Sequence, residues 1–90
     1  MFAVVASVTV DAAQTAQAQS MLSDRVVPMV KASAGFIAGY WLQPVDGTAL
    51  SMVLFDTEAN ARAGAPPVGP APAPGVTINS VEIREVAASA

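Results

Sequence analysis

From Phe2 to Val10 the chain alternates in a period of two. Phe2, Val4, Ala6, Val8 and Val10 point one way, and Ala3, Val5, Ser7 and Thr9 the other. This predicts a strand over 2–10, rich in β-branched residues. Asp11-Ala12-Ala13-Gln14 follows, a capping-box-like start with Gln14 three residues after the cap. Ala18, Leu22, Val26, Met29, Val30 and Ser33 then recur at steps of three and four. They predict a helix with one apolar stripe, and Asp24, Lys31 and the glutamines fall mostly off it. Pro28 removes a backbone donor late in that helix and is expected to kink or loosen the turn before it. Gly35 is placed to end the helix in the left-handed conformation.

The next alternation, Phe36 to Leu42, is apolar on both faces. Read strictly, Phe36, Ala38, Tyr40 and Leu42 share one face, and Ile37, Gly39 and Trp41 the other. Gln43 to Gly47 is a loop whose Asp46-Gly47 suggests a hairpin. The return strand is 49–55, with Leu50, Met52 and Leu54 on one face and Ala49, Ser51, Val53 and Phe55 on the other. Asp56 or Thr57 caps a second, short helix, with Glu58 near its positive end and Gly64 and Pro66 ending it. Residues 64–75, GAPPVGPAPAPG, are expected to form a semi-rigid, polyproline-like arm, too proline-rich for helix or sheet. A last strand runs from about Val76 to Val86. Its apolar positions change phase, from Val76 and Ile78 to Val81 and Ile83, which predicts a bulge near Asn79-Ser80. Residues 87–90 read as a frayed tail.

The order β-α-β-β-α-β predicts one α+β domain over 1–90 with a ferredoxin-like antiparallel sheet and both helices on one side. The other sheet face then stays open, although antiparallel sheets usually show water a polar face. A chain of 90 residues buries only roughly 60–65% of its unfolded surface, so a lone monomer is marginal. A second copy packed face to face in a two-fold dimer is the economical cover.

Charge and composition narrow the chemistry. The formal charge is −3, and the four cations, Arg25, Lys31, Arg62 and Arg84, are scattered. No basic stripe exists to replace phosphate counterions, which argues against nucleic acid. Cysteine and histidine are absent. That excludes disulfides, thiol catalysis, a His-based triad, Cys/His zinc sites and haem held by His or Cys. Asp56 and Glu58 are too few oxygen ligands for a hard metal, so no metal and no cofactor is expected. No apolar run reaches the ~18–20 residues of a membrane span. The apolar N-terminus has no Lys or Arg before it and is closed by Asp11, unlike a signal peptide. A cytoplasmic location is the default expectation.

Several marks together resemble the dimeric α+β barrel superfamily, especially its antibiotic-biosynthesis-monooxygenase-like small proteins. They are Pro28 inside the first helix, Gly35-Phe36 at its exit, Gly39 in the next strand and the Asp46-Gly47 hairpin. Phe55-Asp56-Thr57-Glu58 resembles that family's aromatic-acidic-Ser/Thr-acidic approach to the second helix, and Ala61 and Ala63 fit its small residues. The resemblance covers roughly residues 2–63 and 79–87 and bears on fold more than on function. It departs at Ala34, where the family often has Pro, at Phe55, where it often has Trp, and in the proline-rich arm that replaces much of the second helix. Haem-degrading members use a histidine ligand that this chain lacks. Other members oxidise polycyclic phenols without metal or flavin, in a pocket of Trp, Tyr, Asn and Arg between sheet and helices; no complete set of that kind aligns here.

Tyr40 and Trp41 are the side chains a pocket would use to stack on a flat apolar ligand. As strand neighbours they are expected to face opposite sides, and the competing reading is that they fill the core and the dimer interface. Phe36 belongs with them as a pocket candidate. Ser51, Asn79 and Arg84 are candidate polar groups, although Arg84 has surface partners at hand in Glu82 and Glu85. Neither Ser51 nor Ser7 has an identifiable base or a nucleophile elbow. The expected protein is a small homodimer whose role no catalytic constellation specifies; if it has a ligand, that ligand is expected to be apolar and aromatic, bound between sheet and helices. The alternative is a cofactor-independent monooxygenase, or related isomerase, acting on a phenolic or quinone substrate. A third reading makes the fold an assembly module only.

Overall fold

In a computed structural model describing residues 1–70 and 75–90, the chain forms an α+β fold with an antiparallel sheet. Its strands are β1 (Phe2–Val10), β2 (Phe36–Trp41), β3 (Thr48–Phe55), β4 (Gly69–Pro70) and β5 (Val76–Glu85), in the spatial order β2-β3-β1-β5-β4. The helices are α1 (Thr15–Met21), α2 (Val27–Lys31) and α3 (Glu58–Gly64). Four long strands with β1 central between β3 and β5, and helices after β1 and β3, are compatible with a ferredoxin-like arrangement.

The segment expected as one kinked helix is four pieces. A 3₁₀ turn (Ala12–Gln14) leads into α1, a π turn (Leu22–Val26) follows, and α2 completes it. Proline explains the π turn. Pro28 has no N–H to give and its ring crowds the preceding carbonyls, so the helix widens just before it and Val27 N–H reaches back five residues to the Leu22 carbonyl. At the start, Ala13 N donates to Asp11 Oδ1 at 3.0 Å, so Asp11 is the cap. Gln14 does not complete the box. The Asp11 N–H goes instead to the Gly75 carbonyl at 2.8 Å, and Gln14 Oε1 is buried with no partner among the described residues.

Gly35 ends this segment at φ 76°. Its carbonyl accepts from Asp56 N at 3.0 Å, tying the helix exit to the end of β3. A Cβ here would lie 2.9 Å from Asp56 Cγ, whose carboxylate already accepts from Asn60 Nδ2 at 2.8 Å. Gly35→Ala is therefore expected to cost about 1–3 kcal/mol, from left-handed strain plus overlap with an anchored side chain. An unchanged urea midpoint would show that the junction yields freely. The hairpin between β2 and β3 turns at Asp46 (φ 53°) and Gly47 (φ 77°), closed by reciprocal bonds between Val45 and Thr48. Two consecutive positive φ angles make it a type I′ turn. Thr57 caps α3, accepting from Asn60 N at 3.2 Å.

Two register shifts decide which side chains share a face. In β5, Ser80 pairs with Ser7 but Ile78 pairs with Val8, so Asn79 is the extra residue of the expected bulge. In β2, Phe36 pairs with Phe55 but Ala38 pairs with Leu54, so Ile37 is extra. This second bulge corrects the strict alternation. Phe36 lies on the helix-covered face with Gly39 and Trp41, not with Ala38 and Tyr40. The arm also differs from expectation. Gly64 still belongs to α3, and Gly69–Pro70 pairs with Ile78 and Thr77 at the sheet edge, where a strand tolerates the missing proline donor. The remainder of that arm, 71–74, lies outside the described residues.

The core is two clusters rather than one. Val4, Val53, Phe55 and Ala61 form the first, and Val10, Ala18 and Ala49 the second. The open face is apolar only in part. Tyr40, Leu50 and Met52 are 54%, 48% and 40% exposed across β2 and β3, whereas the β5 stretch carries Ser80, Glu82 and Arg84 in register with Ser7, Val5 and Ala3.

Candidate functional site

Small side chains at inward positions open a space between the sheet and the helical segment. Ala6 on β1 and Ser51 on β3 are register partners, and Ala49 on β3 faces Ala18 of α1 within the second core cluster. Large residues here would close the layer, since protein interiors pack without voids. Instead a cavity of about 830 Å³ lies there, reaching from Val10 and Ala18 toward Val53 and Ala65. Leu22, Val26 and Val30 line it from the helical side.

Trp41 forms part of its wall. The indole lies back over Gly39, where a Cβ would stand 2.7 Å from Trp41 Cη2. Glycine at 39 thus lets the ring lie along the strand, and this explains one of the two glycines in the apolar stretch GFIAGYWL. Ser51 is Trp41's cross-strand partner and lines the same wall. The polar side chains around the cavity among the described residues are uncharged: Thr15, Gln19, Ser23, Gln43 and Ser51. No Asp, Glu, Lys, Arg or Tyr lines it among the described residues. Among the described residues no polar or charged residue is buried as a whole, and every charged side chain is exposed.

Of the residues singled out from sequence, the structure brings Trp41 and Ser51 together on the cavity wall. The others lie elsewhere. Phe36 packs against the Val4–Phe55 cluster beyond the cavity, a consequence of the Ile37 bulge. Tyr40 is on the opposite, open face. Arg84 is on that open face too and pairs with Glu82 at 3.2 Å, with 70% of its side chain exposed. Asn79, the bulge residue, donates to Thr9 Oγ1 at 2.7 Å and staples β5 to β1. Asp56 and Glu58 serve α3, the first holding Asn60 and the second pairing with Arg62 at 2.7 Å.

Sequence reasoning passed over Gln19 and Gln43. Gln19 sits on α1, and Gln43 lies in the loop between β2 and β3, two residues past Trp41. Gln19 Nε2 donates to Gln43 Oε1 at 2.8 Å, and both residues border the cavity. The two are 24 positions apart in sequence, so no spacing rule joins them. The available signal was weaker: Ala6, Ala18 and Ala49 are small residues at inward positions, which marks a place where the layers do not fill.

Among the described residues no group of three His, Cys, Asp or Glu is placed to hold a metal ion, and no helix is long and apolar enough to cross a membrane. No protein-family model, curated protein or solved structure matches this chain.

Proposed function

We propose that this chain is a small-molecule binding protein that takes a neutral, flat, apolar ligand, such as a fused aromatic compound, between its sheet and its helical segment. The observation that carries this reading is the cavity itself. Its volume of about 830 Å³ is within the roughly 300–1,000 Å³ of small-molecule sites, and its wall is apolar with a few uncharged polar groups, as such sites are. Trp41 offers an aromatic surface for stacking. A carboxylate or ammonium would lose its hydration with no opposite charge among the described lining residues, which favours an uncharged ligand.

The resemblance to cofactor-independent monooxygenases supplies an enzymatic reading of the same space. In it the substrate's own stabilised carbanion reacts with oxygen, and the protein contributes desolvation and hydrogen bonds to the developing oxyanion. Trp41 N–H and Ser51 Oγ–H are the donors for that role. The lack of an ionisable side chain along the described wall gives such a reaction no general base, and binding is the reading the wall supports better. The exposed apolar part of the open face, around Tyr40, Leu50 and Met52, supports a homodimer packed sheet against sheet.

Trp41 is the only tryptophan, so the chain carries its own reporter. Titration with 9-fluorenone, a flat uncharged quencher, is expected to reduce Trp41 emission saturably, with a Kd on the order of 10–100 μM. Quenching that rises linearly without saturation, as for free N-acetyltryptophanamide, would mean that the cavity holds no such ligand.

A further inference from the structure

Gln19 and Gln43 make the only side-chain hydrogen bond between the helical segment and the loop joining β2 to β3 among the described residues. It sits at the border of the cavity, and it leaves unused hydrogen-bonding capacity. Each carboxamide has two N–H donors and one carbonyl oxygen. Only one donor of the pair is spent on the mutual bond. The donors left over outnumber the one unengaged carbonyl, and Trp41 adds a further group that can only donate. No other bond to either glutamine side chain occurs among the described residues, and both residues are exposed. An exposed amide pair is worth little as a stability device, because water competes for the same bonds. Its position, bordering an otherwise apolar wall, suits recognition better.

We infer that the Gln19–Gln43 amide pair is the polar anchor of the cavity, and that it selects ligands presenting a neutral acceptor oxygen, a ketone or quinone carbonyl. This rests on the cavity being a binding site, as proposed above. The mutual bond holds one amide from the helical segment against one from the β2–β3 loop, so the remaining N–H groups are oriented before a ligand arrives. Preorganised donors lose less freedom on binding than mobile ones. A hydrocarbon of the same shape fills the cavity but leaves those donors to water.

The test compares 1-tetralone with tetralin, which share a bicyclic frame and differ by one carbonyl. Binding is followed on the Trp41 indole N–H signal in nitrogen–proton correlation spectra, with the Gln19 and Gln43 side-chain amide signals watched alongside. In the wild-type protein, 1-tetralone is expected to shift the glutamine amide signals and tetralin is not. Gln43→Leu and Gln19→Leu are each expected to weaken 1-tetralone roughly three- to tenfold, the scale of one net hydrogen bond, and to leave tetralin unchanged or tighter. Both glutamines are exposed and otherwise unbonded among the described residues, so the variants are expected to fold. Equal changes for the two ligands, or no change for either, overturn the anchor while leaving the binding reading intact. If neither compound nor 9-fluorenone binds the wild-type protein, the binding reading itself fails.

Discussion

Phe55→Ala is expected to destabilise the protein by about 3–5 kcal/mol, the usual loss for removing a buried phenylalanine. Among the described residues Phe55 is the one large side chain with no solvent exposure. It closes β3 and pairs in register with Phe2 on β1 and with Phe36 on β2. The chain's three phenylalanines therefore form one row across the sheet. Ala61 and Gly64 of α3 close over that row, Ala61 with no exposed surface and Gly64 so near that a Cβ would stand 2.9 Å from Phe55 Cε1. A helix of seven residues cannot hold itself in water, so α3 depends on this ring. The loss is a large share of the ~5–15 kcal/mol available to a domain. Urea denaturation followed by circular dichroism measures it, with Phe55→Leu expected to lose much less. A cost below about 1 kcal/mol for the alanine variant would mean that α3 is held by something other than this packing.

Met52→Asp is expected to halve the solution mass. Met52 lies on the open face between Tyr40 of β2 and Val5 of β1, in the part where apolar side chains are exposed. In the proposed sheet-to-sheet homodimer it is buried. A short carboxylate there cannot reach water, and the Arg84 cation on that face already pairs with Glu82. Burying an unpaired charge in an interface costs several kcal/mol, which raises the dimer Kd by roughly a hundredfold or more. Light scattering behind size exclusion at low micromolar concentration is expected to give twice the 9.1 kDa chain mass for the wild type and one chain for the variant. A wild-type monomer, or a variant that remains dimeric, would remove the open face as the interface. Comparing the 9-fluorenone titration in both states then tells whether the cavity needs the partner.

The elements were largely legible because local chemistry decides them. β1 spans the residues its alternation marks, and Asp46-Gly47 turns the chain where only small or amide-like residues take positive φ. Gly35 and Thr57 stop and start helices for reasons contained in their own backbones. The phase change between Ile78 and Val81 located the β5 bulge, since each inserted residue reverses the face of those after it. The Ile37 bulge left no such mark. Phe36, Ile37 and Ala38 are all apolar, and a pattern without polar positions shows no phase to lose. Phe36 was accordingly assigned to the wrong face.

The candidate site divides in the same way. Trp41 and Ser51 were marked by residue type, and the two meet across β2 and β3. The cavity they line was not visible, because a void is the difference between two layers and belongs to no single segment. Its size depends on how Ala6, Ala18 and Ala49 come to face one another and on the path that Pro28 imposes on the helical segment. The Gln19–Gln43 bond depends on the same docking. What the sequence determined alone were the features with short-range causes: the strands, the turns, the caps, and the exclusion of cysteine and histidine chemistry. What only the tertiary structure decided were the distances between residues far apart in the chain. Those distances place a tryptophan, a serine and two glutamines around one apolar space, and no local rule carries them.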